Sequence, residues 1–130
     1  MPRLRFGPAD SVESIADLVG ANIHPFFNAD VAAANAGQFV SSQISRLEEI
    51  CGNLKVVNLE TGWPNAGDQN GAVVPGIMEQ NTAVNATAEA AGSKSVFFSW
   101  INDPWKSPGN FDAEQHWGCA DVFQENIEPD

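Results

Sequence analysis

A chain of 130 residues, 43% of them hydrophobic, has enough apolar mass for one domain and too little for two. Its formal net charge of −11, from 17 acidic against six basic residues, repels phosphate backbones and anionic lipid surfaces. Nucleic acid and membrane surfaces are therefore poor partners, and a neutral or cationic one fits better, a class that includes carbohydrate.

In chain order, "MPRLRFGPADS" (1–11) carries two arginines with no apolar run behind them, so it does not read as a signal peptide, and no later run has transmembrane length. "ADSVESIADL" (9–18) predicts a short helix with Asp10 or Ser11 as N-cap. "DLVGANIH" (17–24) predicts a buried strand stopped by Pro25. Between Asp30 and Cys51 apolar residues recur at Ala36, Val40, Ile44, Leu47 and Cys51, with Phe39 and Ile50 alongside. That is helical spacing, with Gly52 in the C′ position. "LKVVNLE" (54–60) is a second strand. A second helix over 74–91 sets Ile77, Val84, Ala88 and Ala91 on one face and closes at Gly92. "SVFFSWIND" (95–103) is a third strand, ended by Pro104. The tail 107–130 is rich in turn residues without clear periodicity, and "QENIEPD" (124–130) is expected to fray.

Other local signals are weaker. Cys51 and Cys119 lack metal-site spacing and read either as one disulfide or as two buried thiols. "GDQNG" (67–71) lacks the ligand pattern of a calcium loop and reads as a plain turn. Asn85-Ala86-Thr87 is a glycosylation sequon that matters only in a secretory pathway. No cofactor is implied.

Strands joined through helices run parallel, and parallel strands are covered on both faces. His24 and Glu60 are 36 residues apart and Glu60 and Asn102 are 42, the length of a repeated βα unit. Strict alternation puts Val56, Asn58 and Glu60 on one face, with Val57 and Leu59 on the other. Gly20, Asn22 and His24 oppose Val19, Ala21 and Ile23 in the same way. Asn22, His24, Asn58, Glu60, Asn102 and Asp103 then converge at the carboxyl ends of the strands, where parallel α/β folds build their sites.

These residues carry a resemblance. "NLETGWPNAG" (58–67) resembles the nucleophile motif of glycoside hydrolase family 17, the β-1,3-glucanase family, in its fungal form. "GANIHPFF" (20–27) resembles that family's sixth barrel strand, "FFSWINDPWK" (97–106) its eighth, and "AEQHWG" (113–118) its end, in the correct order. The resemblance implies a (β/α)8 barrel that cleaves or transfers β-1,3-glucan with retention of configuration. It also implies a secreted or cell-wall location. Glu60 matches the nucleophile. Asp103 and Lys106 match the acidic and basic positions of the eighth-strand motif, whose usual sequence is closer to Asp-Glu-Pro-Trp-Lys. Here Asn102-Asp103-Pro104-Trp105-Lys106 stands instead, each acid one step down. The family's general acid lies on the fourth barrel strand, for which this chain has no matching segment.

A full barrel takes roughly 250 residues and eight strands. The fold expected for 1–130 is therefore a partial (β/α)8 barrel, a single domain of about three parallel strands with covering helices, ending in an irregular tail over 107–130. Its outer strands are open edges, which favours self-association. Glu60 is the expected nucleophile position, against the alternative of a solvated strand end. Asn22, His24, Trp63, Asn102, Asp103, Trp105 and Lys106 are expected to line the substrate site. His24 reads equally as structural, Trp63 equally as packing beneath the site, and Trp100 and Trp117 as core. The expected function is a retaining β-1,3-glucan-active protein that carries the nucleophile strand without the usual general acid. The alternative is a non-catalytic glucan-binding or oligomeric protein derived from a glucanase.

Overall fold

The computed structural model describes residues 16–124. The helix expected over 9–18 falls outside them except for its last residues, which are not helical, and so does all but Gln124 of the final "QENIEPD". The described elements are β1 (Leu18–Asn22), α1 (Ala36–Ile50), β2 (Lys55–Thr61), α2 (Ile77–Ala91), β3 (Ser95–Phe97) and α3 (Ala120–Gln124). Short 3-10 turns stand at Pro25–Phe27, Ala33–Asn35 and Gly92–Lys94. The strands form one parallel sheet in the order β1-β2-β3, each pair joined through a helix as the strand–helix rhythm predicts.

Sequence dictates α1 closely. Ala36, Val40 and Ile44 recur one turn apart and are buried together. The helix stops where Gly52 and Asn53 enter the left-handed region at φ 68° and 67°. Asn53 N–H then donates back to Glu48 O at 2.8 Å, a Schellman closure that satisfies a terminal carbonyl.

The buried stripe of α2 is Gln80, Ala83, Val84, Thr87 and Ala91; of the expected face Val84 and Ala91 lie on it, Ala88 is half-buried and Ile77 is exposed. The small residues decide this, because they let α1 and α2 touch. A Cβ added at Gly37 of α1 would overlap the carbonyl oxygen of Ala86 in α2. Gly92 does not stop α2 by left-handed geometry; at φ −61° it continues into a 3-10 turn. In the sequon, Thr87 is buried and its hydroxyl donates to Ala83 O at 2.8 Å, while Asn85, the residue a glycan would occupy, is exposed.

The third strand is shorter than expected. After Phe97 the chain leaves the sheet and pairs with the tail: Ser99 N–H donates to Trp117 O, Cys119 N–H to Ser99 O and Ala120 N–H to Trp100 O, at 2.8–3.0 Å. The tail is irregular yet contributes Ala113, Trp117, Cys119 and Val122 to the core. Trp117 is buried as expected, whereas Trp100 is 61% exposed, because the strand that would have carried it inward ends three residues earlier. Both cysteines are free thiols.

Two apolar clusters hold the fold. Ile23, Val40, Ile44, Val56 and Ala91 join one sheet face to the helices, and a larger cluster around Phe26, Trp63, Val84 and Trp117 fills the space beyond the strand ends. Among the described residues nothing covers the other sheet face. Leu18, Leu59 and Val96 on it are each about half exposed. A parallel sheet normally carries cover on both faces, so this surface is a departure from the expectation.

Candidate active site at the strand ends

The central strand does not alternate strictly. Register runs Ala21↔Asn58 and then Asn22↔Glu60, so β2 carries one extra residue at Leu59. Val56 and Asn58 consequently face the helices, while Glu60 is set opposite Asn22 on the uncovered side. The expected shared face of Val56, Asn58 and Glu60 is corrected accordingly. A buried amide fastens this irregularity. Asn58 is fully buried, accepts from Ile23 N–H at 3.1 Å and donates to Ser95 Oγ at 3.4 Å, tying β2 to both neighbours. The same Ile23 N–H also reaches Glu60 O at 3.0 Å. A polar residue set between Val57 and Leu59 was the available sequence signal for this role.

At the end of β2, Glu60 Oε1 lies 2.7 Å from His24 Nε2, which stands two residues beyond β1. The Glu60 side chain is 38% exposed and that of His24 only 13%. Rings surround the imidazole edge-on: Trp117 at 5.0 Å, Phe27 at 5.9 Å and Phe98 at 6.3 Å between centroids. Phe98 also lies beneath Lys106, whose Nζ is 4.7 Å from the ring centroid and 3.2 Å from Asp103 Oδ2. One aromatic platform thus connects the His24–Glu60 pair with the Asp103–Lys106 pair, although their sequence segments are far apart.

The remaining expected site residues divide. Asn22 is exposed beside Glu60 on the sheet's open side. Trp105 is 78% exposed, with Lys106 Nζ 5.4 Å from its ring. Trp63 is fully buried and its Nε1–H donates to Val74 O at 2.9 Å, so it packs beneath the site and offers no face to a ligand. Asn102 turns into an amide network. Its Oδ1 accepts from Asn65 Nδ2 and Gly118 N–H, both at 2.8 Å, and Gln80 Nε2 donates to the carbonyls of Trp63 and Gly118. This network pins the Trp63-Pro64-Asn65 segment after Glu60 to the tail. It also borders a cavity of about 210 Å³ lined by Asn65, Gln80, Asn81, Asn102 and Asp121. A cleft of about 360 Å³ lies between β1 and α1, with Asn22 and His24 in its wall.

Comparison with known proteins fits this geometry. Residues 7–118 match the family model of the BtgE/BtgC glycoside hydrolase domain. Over 109 residues, 84% of this chain, the sequence is 58% identical to a probable beta-glucosidase btgE of Neosartorya fischeri. An Aspergillus terreus relative of the same name is 54% identical over 110 residues. The chain spans about a fifth of the length of these curated relatives. A glycoside hydrolase family 17 β-1,3-glucanosyltransferase from Rhizomucor miehei superposes with a TM-score of 0.70 at 22% identity, over 85% of this chain and 41% of that one. An active-site mutant of that species' β-1,3-glucanosyltransferase, in complex with laminaritriose, gives 0.71 at 20% identity, over 88% and 42%. This likeness shows the fold: three parallel strands with their helices, matching part of a (β/α)8 barrel.

Proposed function

The chain belongs to the BtgE/BtgC glycoside hydrolase domain family, and on that premise we propose that it is the nucleophile-bearing part of a retaining, β-1,3-glucan-active protein. Glu60 is the nucleophile. The observation that carries this reading is a carboxylate at the carboxyl end of the central strand, turned to the open side by an extra residue and held by His24 at 2.7 Å. Solvated strand ends have no need of such holding. Asn22, Trp105, Lys106 and Asp103 are the groups proposed to meet the sugar, Trp105 through its open ring face and the others through hydrogen bonds. Asn102 and Trp63 support the site from behind. The laminaritriose complex of the R. miehei enzyme favours β-1,3-linked glucan as substrate class, and a secreted or cell-wall location is proposed with it.

Retaining hydrolysis needs a second carboxyl group about 5–5.5 Å from the nucleophile. By the family 17 pattern that acid belongs to the fourth barrel strand, which has no counterpart in this sequence. Acid catalysis contributes about 10²–10⁴-fold, so the chain alone is expected to act poorly on natural glucan. The test is incubation with laminari-oligosaccharides beside a Glu60→Gln variant, following both products and binding. Slow turnover that vanishes in the variant supports the nucleophile. Equal turnover in both proteins overturns it.

A second reading, a glucan-binding or self-associating protein without chemistry, is favoured by one observation, the uncovered apolar sheet face. Binding of the same oligosaccharides, without products and unchanged by Glu60→Gln, would select it.

A further inference from the structure

We infer that His24 is a positioning residue for Glu60, acting on the carboxylate and not on the sugar, and that it governs the release half of the reaction. The inference rests on Glu60 being the nucleophile. Three observations carry it. The imidazole is mostly enclosed, its orientation fixed by Trp117, Phe27 and Phe98. Its Nε2 is committed to Glu60 Oε1 at 2.7 Å. Its Nδ1 is buried with no hydrogen-bond partner among the described residues. Of the two neutral tautomers, the one with hydrogen on Nε2 gives the carboxylate a donor and leaves Nδ1 a bare acceptor; the other sets two acceptors face to face. The ring is therefore built to deliver one N–H to one oxygen. Ile23 N–H fixes the main chain of the same glutamate at 3.0 Å.

Such a donor does not act evenly on the two steps. In the first, Glu60 Oε2 attacks the anomeric carbon, the bond to the departing oxygen breaks, and the carboxylate charge is spent in an ester. In the second, an acceptor attacks that carbon, the ester bond breaks, and its electron pair returns to Glu60. A hydrogen bond to a carboxylate is strongest when the charge is full. The Nε2–H thus favours the second step, in which charge returns, and holds Oε1 aside so that Oε2 attacks.

The step can be read in this chain without a general acid. A dinitrophenyl β-laminaribioside with fluorine beside the anomeric carbon has a leaving group that needs no protonation. Azide serves as an acceptor that needs no base. Adduct formation and its release into azide are followed by intact mass for the wild type, His24→Leu and His24→Gln, with folding checked by near-ultraviolet dichroism. The expected result is an adduct on Glu60 whose release is about ten- to a hundredfold slower in His24→Leu, the worth of one hydrogen bond to a charged group. His24→Gln, which keeps an amide N–H, recovers to within several-fold of the wild type. Release at the wild-type rate in His24→Leu overturns the inference, as does a folded His24→Gln that is as slow as His24→Leu. If His24→Leu fails to fold, release by His24→Gln decides: near wild type supports the donor, and a larger loss overturns it. A folded wild type that takes no label on Glu60 overturns the nucleophile reading itself, and this role with it.

Discussion

Trp63 and Cys119 show how single side chains around the site are held. Trp63 follows Glu60 by three positions, is fully buried, and spends its one polar hydrogen on Val74 O. Replacement by alanine is expected to destabilise the chain by about 3–5 kcal/mol in denaturant titration. Replacement by phenylalanine keeps most of the packing but strands the Val74 carbonyl, at a cost of about 1–3 kcal/mol. Burial pushes the Cys119 thiol above its ordinary pKa, only partly offset by a backbone hydrogen bond. The unfolded chain therefore loses this proton at lower pH than the folded one. Stability from Cys119 is full below its ordinary value and falls as the pH climbs through the alkaline range toward the folded value. A Cys119→Ala variant should lose that alkaline slope when urea midpoints are compared at neutral and alkaline pH. In the native protein Cys51, which is only half buried, should react with a thiol reagent well before Cys119.

The helix crossing and the irregular strand are where elements fit by single residues. Gly37→Ala should destabilise by about 1–3 kcal/mol through overpacking against Ala86, visible as a lower thermal midpoint. Asn58→Leu removes the amide that ties β2 to Ile23 and Ser95 and is expected to cost about 1–3 kcal/mol. It should also weaken laminari-oligosaccharide binding, since Glu60 loses its fixed aim. Much of this level was legible in the sequence. Period-four apolar spacing defined α1, and Gly52 marked its end, because those signals are local. The face of Asn58 was not legible, because an extra residue in one strand is defined only against its partner strand. The stripe of α2 is legible at Val84 and Ala91 but not at Ile77, which has the larger apolar side chain, because close helix contact selects small residues. The third strand was drawn too long because "WIND" is apolar enough to extend it, and the tail that claims its backbone is remote in sequence. Glu60 and His24 were legible as candidates at strand ends, while their contact through Nε2 was not.

At the scale of the whole fold, one sheet face and the outer strands are the exposed liabilities among the described residues. Leu59, 52% exposed, sits over Gly20 in the middle of that face. A second copy is a natural cover, and self-association at micromolar concentration is expected in light scattering. The charge of −11 opposes it, so association should strengthen as salt screens repulsion and should fall in Leu59→Lys. A compact monomer at every salt concentration would contradict this expectation.

The division of the indoles has a practical consequence. The chain has four tryptophans and no tyrosine, and they separate into the enclosed Trp63 and Trp117 and the open Trp100 and Trp105. Its ultraviolet emission is therefore a sum of two populations that a polar quencher can resolve. Sugar stacking on Trp105 would shield one member of the quenchable pair, and loss of the packed core would convert the sheltered pair into quenchable ones. Ligand engagement and unfolding thus carry opposite optical signs, and the unlabelled protein reports both.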